Sequence, residues 1–329
     1  MRVHLYTGSF DLVAKSGVGQ ALCHQRAMLR RAGVTVTEDW QGKADAIQIN
    51  TVLPDAPLAA LRARLRGERV IYYGHSTMQD FRDSFVGSNL LAPAFKRWIC
   101  LCYGLGDVVI TPTPYSRRIL ESYGIKKPVT ALSNGVDTDF FAPSAGRRSA
   151  FREKYGLTDA DKVVISVGHF MERKGILTFL ELARQMPGVK FFWFGHTDPA
   201  LVPRPVRRAM EAAPANLCFA GFVDQAALRD AYCGADLFCF CSKEETEGIV
   251  VLEALACGTP TLVRDIPVYE GWLEHGRNVY KAKTEGDFQP LARGMLEGRL
   301  PGLTQAARRT AEDRSLDAVA QKLVNLLQH

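Results

Sequence analysis

Short apolar segments alternate along this chain with longer segments of helical spacing. Such an alternation predicts parallel β-sheets that are covered by helices on both faces. β-branched and aromatic residues dominate most of the apolar segments, as expected of strands buried on both sides. The predicted strands are residues 3–6, 46–49, 70–73, 108–111, 163–168, 190–195, 236–240 and 261–263. The predicted fold class is therefore α/β, with doubly wound parallel sheets.

The alternation occurs twice, and 329 residues are enough for two domains. Between the two series, residues 141–150 (FAPSAGRRSA) have no apolar periodicity. We therefore predict an N-terminal domain over residues 1–143 and a C-terminal domain over residues 144–329, which ends in a helix. Ligands of open α/β sheets bind beyond the carboxyl ends of the strands, so a cleft between the two domains is the expected site. The predicted helices are residues 19–32, 54–66, 88–103, 115–123, 150–156, 175–186, 225–233, 249–257 and a last one around Leu316–Leu327.

Composition excludes several classes of protein. No apolar segment approaches the ~20 residues that span a bilayer, and the first residues lack the apolar core of a secretory signal. Eight cysteines are too few for a disulfide scaffold, and the spacings Cys100-x-Cys102 and Cys239-x-Cys241 are not those of a zinc site. We expect a cytoplasmic protein with reduced thiols and without a structural metal.

The net charge of +6 is concentrated in the first half of the chain. Residues 1–145 contain 17 Lys and Arg against 12 Asp and Glu, whereas residues 146–329 contain 24 against 23. A basic excess in one domain fits an anionic membrane, a nucleic acid or an anionic substrate. It is also compatible with an ordinary solubilising surface.

The segment 242–260 (SKEETEGIVVLEALACGTP) is the most informative one. Gly248 begins an apolar helix, and the free peptide N–H groups of Gly248, Ile249 and Val250 suit a diphosphate. Glu253 lies inside this apolar helix, where a carboxylate needs a specific partner. A ribose diol would be such a partner, and a lysine is the alternative.

Three glutamates precede this helix. Glu245 lies in the loop before it, where it would face a ligand at the mouth of the helix. Glu244 and Glu247 are interpreted as members of a solvated acidic loop.

The spacing Glu245-x7-Glu253, in a helix that runs into Ala-Cys-Gly-Thr-Pro, resembles family-4 retaining glycosyltransferases with the GT-B fold. The resemblance implies two Rossmann-like domains that face a cleft, with the nucleotide-sugar donor bound by the C-terminal domain. It assigns sugar hydroxyls near the reacting carbon to Glu245 and the ribose to Glu253. The donor is a substrate, so no cofactor is expected.

Other segments match the same family. In residues 166–175 (SVGHFMERKG), Arg173 and Lys174 correspond to cations that clamp the donor diphosphate, while His169 replaces an Arg and its role is open. The family's base-recognition segment corresponds to residues 221–238, where Phe222 and Val223 would contact uracil.

Two further positions come from the first half of the chain. In residues 15–22 (KSGVGQAL), Gly17 and Gly19 would approach the donor phosphates or the acceptor, although Gly-x-Gly alone is a weak signal. His75 follows a predicted strand, and the resemblance implies that it orients the donor sugar. A buried structural histidine is the alternative.

The pair Asp137-x-Asp139 resembles the metal-binding pair of the other main glycosyltransferase fold. Here it lies at the expected interdomain linker, so we predict that no metal binds there. Cations and a helix N-terminus would neutralise the leaving diphosphate instead.

Longer matches, such as residues 244–256 (EETEGIVVLEALA) and 75–98 (HSTMQDFRDSFVGSNLLAPAFKRW), resemble bacterial enzymes that glycosylate diacylglycerol lipids. In the N-terminal domain, Leu58, Leu61 and Leu65 lie among arginines, and a second apolar stripe comprises Leu91, Phe95, Trp98, Ile99 and Cys102. Apolar stripes edged by cations suit an anionic membrane. Core-facing amphipathic helices with a basic edge are the alternative. The predicted acceptor or membrane residues are Arg62, Arg64, Arg66, Asp80, Arg82, Lys96, Arg97 and Trp98.

Together these features predict a metal-independent retaining hexosyltransferase on the cytoplasmic face of the membrane. It would transfer glucose or galactose from a UDP-sugar to a diacylglycerol-based glycolipid, without a nucleic-acid partner. The alternatives are a family-4 enzyme with a soluble or polysaccharide acceptor, a nucleotide-sugar epimerase and a non-catalytic binding module.

Overall fold

The structure is a computed structural model, and it describes residues 1–9, 16–39, 42–85 and 87–328. Of the predicted first loop, residues 15–22, only Lys15 lies outside these residues. The chain forms two compact units. Unit 1 comprises Met1–Phe81, Asn89–Val136 and Arg314–His329, and unit 2 comprises Arg82–Ser88 and Asp137–Asp313.

Unit 1 contains a six-stranded sheet of order β2-β1-β3-β4-β5-β6, in which all neighbouring strands are parallel. Its strands are β1 Arg2–Tyr6, β2 Thr35–Thr37, β3 Ala46–Ile49, β4 Arg69–Tyr73, β5 Val108–Thr111 and β6 Val129–Ala131. Its helices are α1 Gly17–Arg31, α2 Asp55–Leu65, α3 Met78–Phe81, α4 Ser88–Gly104, α5 Pro114–Ser122 and α13 Leu316–Gln328.

Both faces of this sheet are covered, because alternate residues of each strand point to opposite sides. On one face, Val3, Ile71 and Ile110 pack with Met28 of α1 and Leu323 of α13. On the other face, side chains of β3, β4 and β5 pack with α2, α4 and α5. The long crossovers between parallel strands are therefore helical, as the strand–helix alternation predicts.

Unit 2 contains a second parallel sheet, of order β12-β11-β10-β7-β8-β9. One face packs with α7 and α11, and the other packs with α6 and α9 through aromatic contacts such as Phe151–Phe192. Its strands are β7 Lys162–Val167, β8 Val189–Phe194, β9 Leu217–Gly221, β10 Leu237–Phe240, β11 Thr261–Arg264 and β12 Tyr280–Ala282. Its helices are α6 Ala145–Lys154, α7 Ile176–Gln185, α8 Arg204–Glu211, α9 Gln225–Gly234, α10 Ile249–Ala256, α11 Phe288–Leu296 and α12 Thr304–Glu312.

All eight predicted strands are confirmed, whereas strands β2, β6, β9 and β12 were not predicted. Three of these four strands are only three residues long. Each of the four forms an edge of its sheet, where burial is incomplete. Helices α3, α8, α11 and α12 were missed as well.

The structure corrects the predicted domains in two respects. The boundary falls between Val136 and Asp137, before the predicted position at 143. The last helix, α13, belongs to unit 1 and not to the C-terminal domain, because Leu316, Val319 and Leu323 complete the core beside β1, β4 and β5. The apolar spacing of α13 predicts a helix but does not say which sheet it covers.

Among the described residues, the structure has no helix that is both long enough and apolar enough to cross a membrane.

Candidate active site

A cationic turn follows the carboxyl end of β7 in unit 2. Arg173 and Lys174 lie in the 3₁₀ turn Glu172–Lys174, and Gly175 ends this turn at a φ of 76°. A Cβ on Gly175 would collide with the backbone carbonyl of Cys241, so glycine allows the turn to pack directly against the end of β10. The Arg173 carbonyl accepts a hydrogen bond from the Lys243 N–H at 2.7 Å. The turn is thereby fixed to the loop that precedes α10.

Glu245 meets this turn from the loop after β10. Its Oε1 atom accepts hydrogen bonds from Lys174 Nζ at 2.6 Å and from Ser242 Oγ at 2.7 Å. Both bonds reach the same oxygen, and no described residue binds Oε2, which is therefore left for a ligand hydroxyl. Burial alone would raise the pKa of Glu245, but Lys174, Arg173 and these hydrogen bonds hold that pKa below its usual value. Glu245 is therefore an ionised, buried carboxylate.

Arg173 is buried and oriented by two contacts. Its Nη1 atom donates to the Glu244 carbonyl at 2.9 Å, and its Nε atom donates to Ser84 Oγ at 3.3 Å. The predicted pair of cations thus lies beside the first glutamate of the Glu-x7-Glu motif.

Helix α10 begins next to this cluster. Gly248 precedes the helix with a φ of 88° and has no side chain to cap the first turn. The peptide N–H groups of Gly248, Ile249 and Val250 are therefore at an uncapped helix N-terminus, where the helix dipole favours an anion. Their contact with a diphosphate stays a prediction.

Glu253 is only 1% exposed and accepts a hydrogen bond from the Tyr232 hydroxyl at 2.9 Å. Its partner in this structure is a phenol of α9, and the alternative prediction of a lysine partner is wrong. Burial raises the pKa of Glu253 to about 7, although the Tyr232 hydrogen bond opposes this rise. Its binding to a ribose stays a prediction.

The prediction of a solvated acidic loop is wrong for Glu247. That residue is buried, whereas Glu244 is half-buried. The loop packs against the cationic turn, so its side chains are enclosed to a degree that the run of charged letters does not indicate.

We expect Glu253→Gln to flatten the pH dependence of the free energy of unfolding. The pKa of Glu253 is raised from 4.5 to about 7 in the folded protein. Between these two pH values the folded protein therefore keeps a proton that the unfolded chain has already released. The free energy of unfolding should therefore fall by about 3 kcal/mol as the pH rises from the unfolded to the folded pKa of Glu253. The Gln variant has no proton to release at this position, so it should lack this pH-dependent fall. Urea denaturation at pH 5 and pH 8 measures the difference.

The matched control is Glu211→Gln at an exposed position of α8, which should keep the wild-type pH dependence. Equal pH dependence in Glu253→Gln and the wild type would contradict a buried, protonated Glu253. If Glu253 holds the ribose, Glu253→Gln should also bind UDP about 10-fold or more weakly than the wild type.

His75 lies in unit 1, directly beyond the carboxyl end of β4. Its Nε2 atom is 2.9 Å from Asn50 Oδ1, and Asn50 and Gln25 exchange two amide hydrogen bonds of 2.6 and 2.9 Å. Burial lowers the pKa of His75 to about 4, so the ring is neutral. With Nε2 donating to Asn50, Nδ1 is the unprotonated acceptor. Both the structural interpretation and a role toward the donor sugar are compatible with this geometry.

Asn50 and Gln25 were missed in the sequence analysis. Asn50 directly follows β3, at the same sheet edge as His75, and this position after a parallel strand could have identified it.

The remaining predicted donor residues occupy the ends of elements. Gly17 is exposed at the start of α1, and Gly19 is buried two residues further on. Phe222 is exposed and Val223 half-buried directly after β9. His169 follows β7, and its Nδ1 atom lies 2.8 Å from the His196 carbonyl. Their contacts with a donor stay predictions.

Asp137 has a structural part in the chain. Its Oδ1 atom accepts hydrogen bonds from the backbone N–H groups of Asp139 and Phe140 at 3.2 and 3.1 Å, while Asp139 is exposed. The carboxylate of Asp137 thus forms a local turn at the start of unit 2.

The leucines of helix α2 are exposed to solvent. Leu58, Leu61 and Leu65 are 68%, 47% and 90% exposed, whereas the core face of α2 consists of small residues such as Ala59 and Ala63. The core-facing alternative is therefore wrong for these leucines. Among the predicted cations, Arg62 and Arg64 are exposed on the same helix and Arg66 is half-buried at its end.

The predicted apolar stripe of α4 is corrected. Ile99 and Cys102 are buried in the core, and Trp98 packs against it with its indole N–H donating to the Val52 carbonyl at 2.6 Å. Leu91 of the predicted stripe is exposed, and Leu90 and Leu101 are exposed large apolar residues of α4 that the stripe did not include.

The other predicted acceptor residues lie on or near this helix. Arg97 is exposed, and Lys96 Nζ lies 4.6 Å from the centre of the Tyr123 ring. Asp80 is half-buried on α3, and Arg82 is exposed directly after it. Their contact with an acceptor stays a prediction.

Two family models match the chain. "Glycosyltransferase Family 4" matches residues 35–140, and "Glycosyl transferases group 1" matches residues 147–299. The first match lies mainly in unit 1 and the second in unit 2.

Two curated relatives match most of the chain. The processive diacylglycerol alpha-glucosyltransferase of Acholeplasma laidlawii is 39% identical over 98% of this chain and 96% of its own length. The alpha-galactosylglucosyldiacylglycerol synthase of Streptococcus pneumoniae is 28% identical over 83% of this chain and 75% of its own length.

Among solved structures, HepE of Anabaena in complex with UDP and glucose matches with a TM-score of 0.77 and 16% identity, over 99% of both chains. At this identity the similarity concerns the fold, and it confirms the predicted fold class.

Proposed function

Because this chain belongs to the family-4 glycosyltransferases, as its motifs predict, we propose that it transfers a hexose from a UDP-sugar to a diacylglycerol-based glycolipid with retention of the anomeric configuration. The observation that supports this most is the cluster of Arg173, Lys174 and Glu245 beside the N-terminus of α10. Full-length similarity to a diacylglycerol glucosyltransferase supports the acceptor class.

The donor side of the proposal rests on electrostatics. Arg173, Lys174 and the first peptide N–H groups of α10 would neutralise the charge that develops on UDP as the glycosidic bond breaks. Glu245 would bind sugar hydroxyls through Oε2, since Oε1 is engaged by Lys174 and Ser242. Glu253 would bind the ribose, and the neutral His75 would accept a hydrogen bond from a sugar hydroxyl through Nδ1.

The proposed reaction requires no bound metal. Its charge neutralisation uses Arg173, Lys174 and a helix N-terminus, and Asp137 already caps a backbone turn. We expect transfer to survive EDTA and Asp139→Asn to change the rate by less than about threefold. A strict requirement for Mn²⁺ or Mg²⁺, restored by titration, would contradict this part of the proposal.

The acceptor side rests on the exposed leucines of α2 and the exposed arginines among them. Such a surface would hold the enzyme on the anionic cytoplasmic face of the membrane. The basic excess of residues 1–145 supports this orientation.

We expect the double variant Leu58→Ser/Leu65→Ser to bind anionic vesicles roughly 10-fold or more weakly, because each leucine that enters the lipid contributes apolar transfer energy. Arg62→Glu/Arg64→Glu should remove the salt-sensitive component, at about 1 kcal/mol per cation. Co-sedimentation with vesicles across a salt series separates the two components.

The matched control is Leu201→Ser, which makes the same Leu-to-Ser replacement at an exposed position of unit 2. All these variants should keep the wild-type melting temperature, since the replaced side chains are exposed. Unchanged vesicle binding in the leucine variant would contradict insertion of α2. Trp98→Ala, which the sequence suggests as a test, would instead disturb the core of unit 1.

In a direct test, the enzyme is incubated with labelled UDP-glucose or UDP-galactose as donor. Diacylglycerol, monoglucosyl diacylglycerol and a water-soluble oligosaccharide serve as the acceptors. We expect label in an α-linked glycolipid, with the anomeric configuration read by NMR. Incubation of each donor alone tests the epimerase alternative, since an epimerase would convert one UDP-hexose to the other without an acceptor.

A further inference from the structure

Tyr269 has a buried hydroxyl without a hydrogen-bond partner among the described residues. It ends the 3₁₀ turn Pro267–Tyr269 after β11, and its ring packs edge-to-face against Trp272 at 5.5 Å. Leaving a buried hydroxyl unsatisfied destabilises a fold, so such a group needs an explanation.

The surroundings of this hydroxyl place it at the candidate site. The position that a Cβ of Gly248 would occupy is 3.4 Å from the Tyr269 hydroxyl oxygen, so the hydroxyl faces the start of α10. Burial raises the pKa of Tyr269, and the negative charge of Glu245 raises it further. Glu245 lies three residues before Gly248 in the same loop, so an ionised carboxylate lies within electrostatic range of a hydroxyl that has no acceptor among the described residues.

Donor binding would change the partners of Glu245. In this structure Lys174 Nζ donates to Glu245 Oε1 at 2.6 Å. A diphosphate beside Arg173 and Lys174 would attract the same ammonium group and weaken its bond to Glu245. A buried carboxylate that loses the hydrogen bond from a cation needs another hydrogen-bond donor.

We propose that Tyr269 is a positioning residue whose hydroxyl donates a hydrogen bond to Glu245 when the sugar-nucleotide diphosphate engages Lys174. This inference rests on the proposed function, because it concerns the donor-bound state of that site. It explains why an unsatisfied hydroxyl persists next to α10: its hydrogen bond to Glu245 forms in the donor-bound state, when Lys174 turns to the diphosphate.

Tyr269→Phe removes the hydroxyl alone. In the free protein this change should leave the melting temperature equal to or above that of the wild type, since no hydrogen bond is lost. With donor present, kcat should fall about 10-fold and the KM for the UDP-hexose should change less than about threefold, because the positioning of Glu245 is affected more than the binding of UDP.

The pH profile provides a readout that a purely structural role would not change. A hydrogen bond to the ionised carboxylate lowers its pKa, so without Tyr269 the pKa of Glu245 in the donor complex rises. The acid limb of kcat should therefore move to higher pH by about 0.5–1 unit in Tyr269→Phe.

The matched control is Tyr72→Phe in unit 1, where another fully buried hydroxyl has no hydrogen-bond partner within the described part of the chain and the ring packs against Tyr103 in an apolar core. The control should keep kcat and the acid limb of the wild type. A lowered melting temperature of Tyr269→Phe, or a wild-type kcat and acid limb, would overturn the proposal for Tyr269. If the wild type transfers no hexose from any UDP-sugar, the proposed function itself fails, which is a different outcome.

Discussion

Replacing Glu245 by Gln should lower hexose transfer roughly 100-fold or more while changing the affinity for UDP by less than about threefold. The variant keeps the shape of the side chain but removes the negative charge that Lys174 and Ser242 hold in place. The lost charge acts on the transferred hexose near the reacting carbon, and UDP lacks that hexose. Steady-state kinetics and calorimetric titration with UDP measure the two effects separately.

Glu244→Gln is the control for this prediction, because the residue is adjacent, half-buried and contacts Arg173 through its backbone carbonyl. Its turnover should stay within about threefold of the wild type. Normal turnover in Glu245→Gln, or a loss of UDP affinity as large as the loss of rate, would show that Glu245 does not act on the donor sugar.

Replacing Arg173 by Gln should lower turnover by roughly 10²–10³-fold and should also weaken UDP binding. The guanidinium is buried and is fixed by the Glu244 carbonyl and Ser84, so it is preorganised to meet the departing diphosphate. Both effects are expected because a diphosphate is present in UDP as well as in the transition state.

An appropriate control is Arg184→Gln on the exposed side of α7, which removes the same charge from the same unit. It should leave both constants unchanged. If Arg173→Gln bound UDP and turned over like the wild type, the diphosphate site would lie elsewhere.

The strands and the donor motifs were predictable because each depends on local sequence. Buried parallel strands are short runs of apolar residues, and the carboxyl ends of such strands position Arg173, Lys174 and Glu245. The sequence also indicated that Glu253 is too costly to bury without a partner. It could not indicate that this partner is Tyr232, because α9 and α10 meet only in the folded unit.

Other features depend on tertiary packing that no local pattern reveals. Helix α13 returns to unit 1, where its leucines complete a core begun by β1. In α2 the small alanines face the sheet and the leucines face outward, which reverses the usual assignment of large apolar residues to the core. Tyr269 is a polar residue without a motif, and only its buried position distinguishes it.

The central claim is hexose transfer from a UDP-sugar to a diacylglycerol glycolipid, and competition between acceptors in one reaction tests it most directly. Anionic vesicles containing monoglucosyl diacylglycerol and an equal concentration of a water-soluble oligosaccharide would be incubated with labelled UDP-glucose or UDP-galactose in the presence of EDTA. The account predicts that the label enters the lipid fraction as a diglycosyl diacylglycerol. Label found in the oligosaccharide, with none in the lipid fraction, would contradict it.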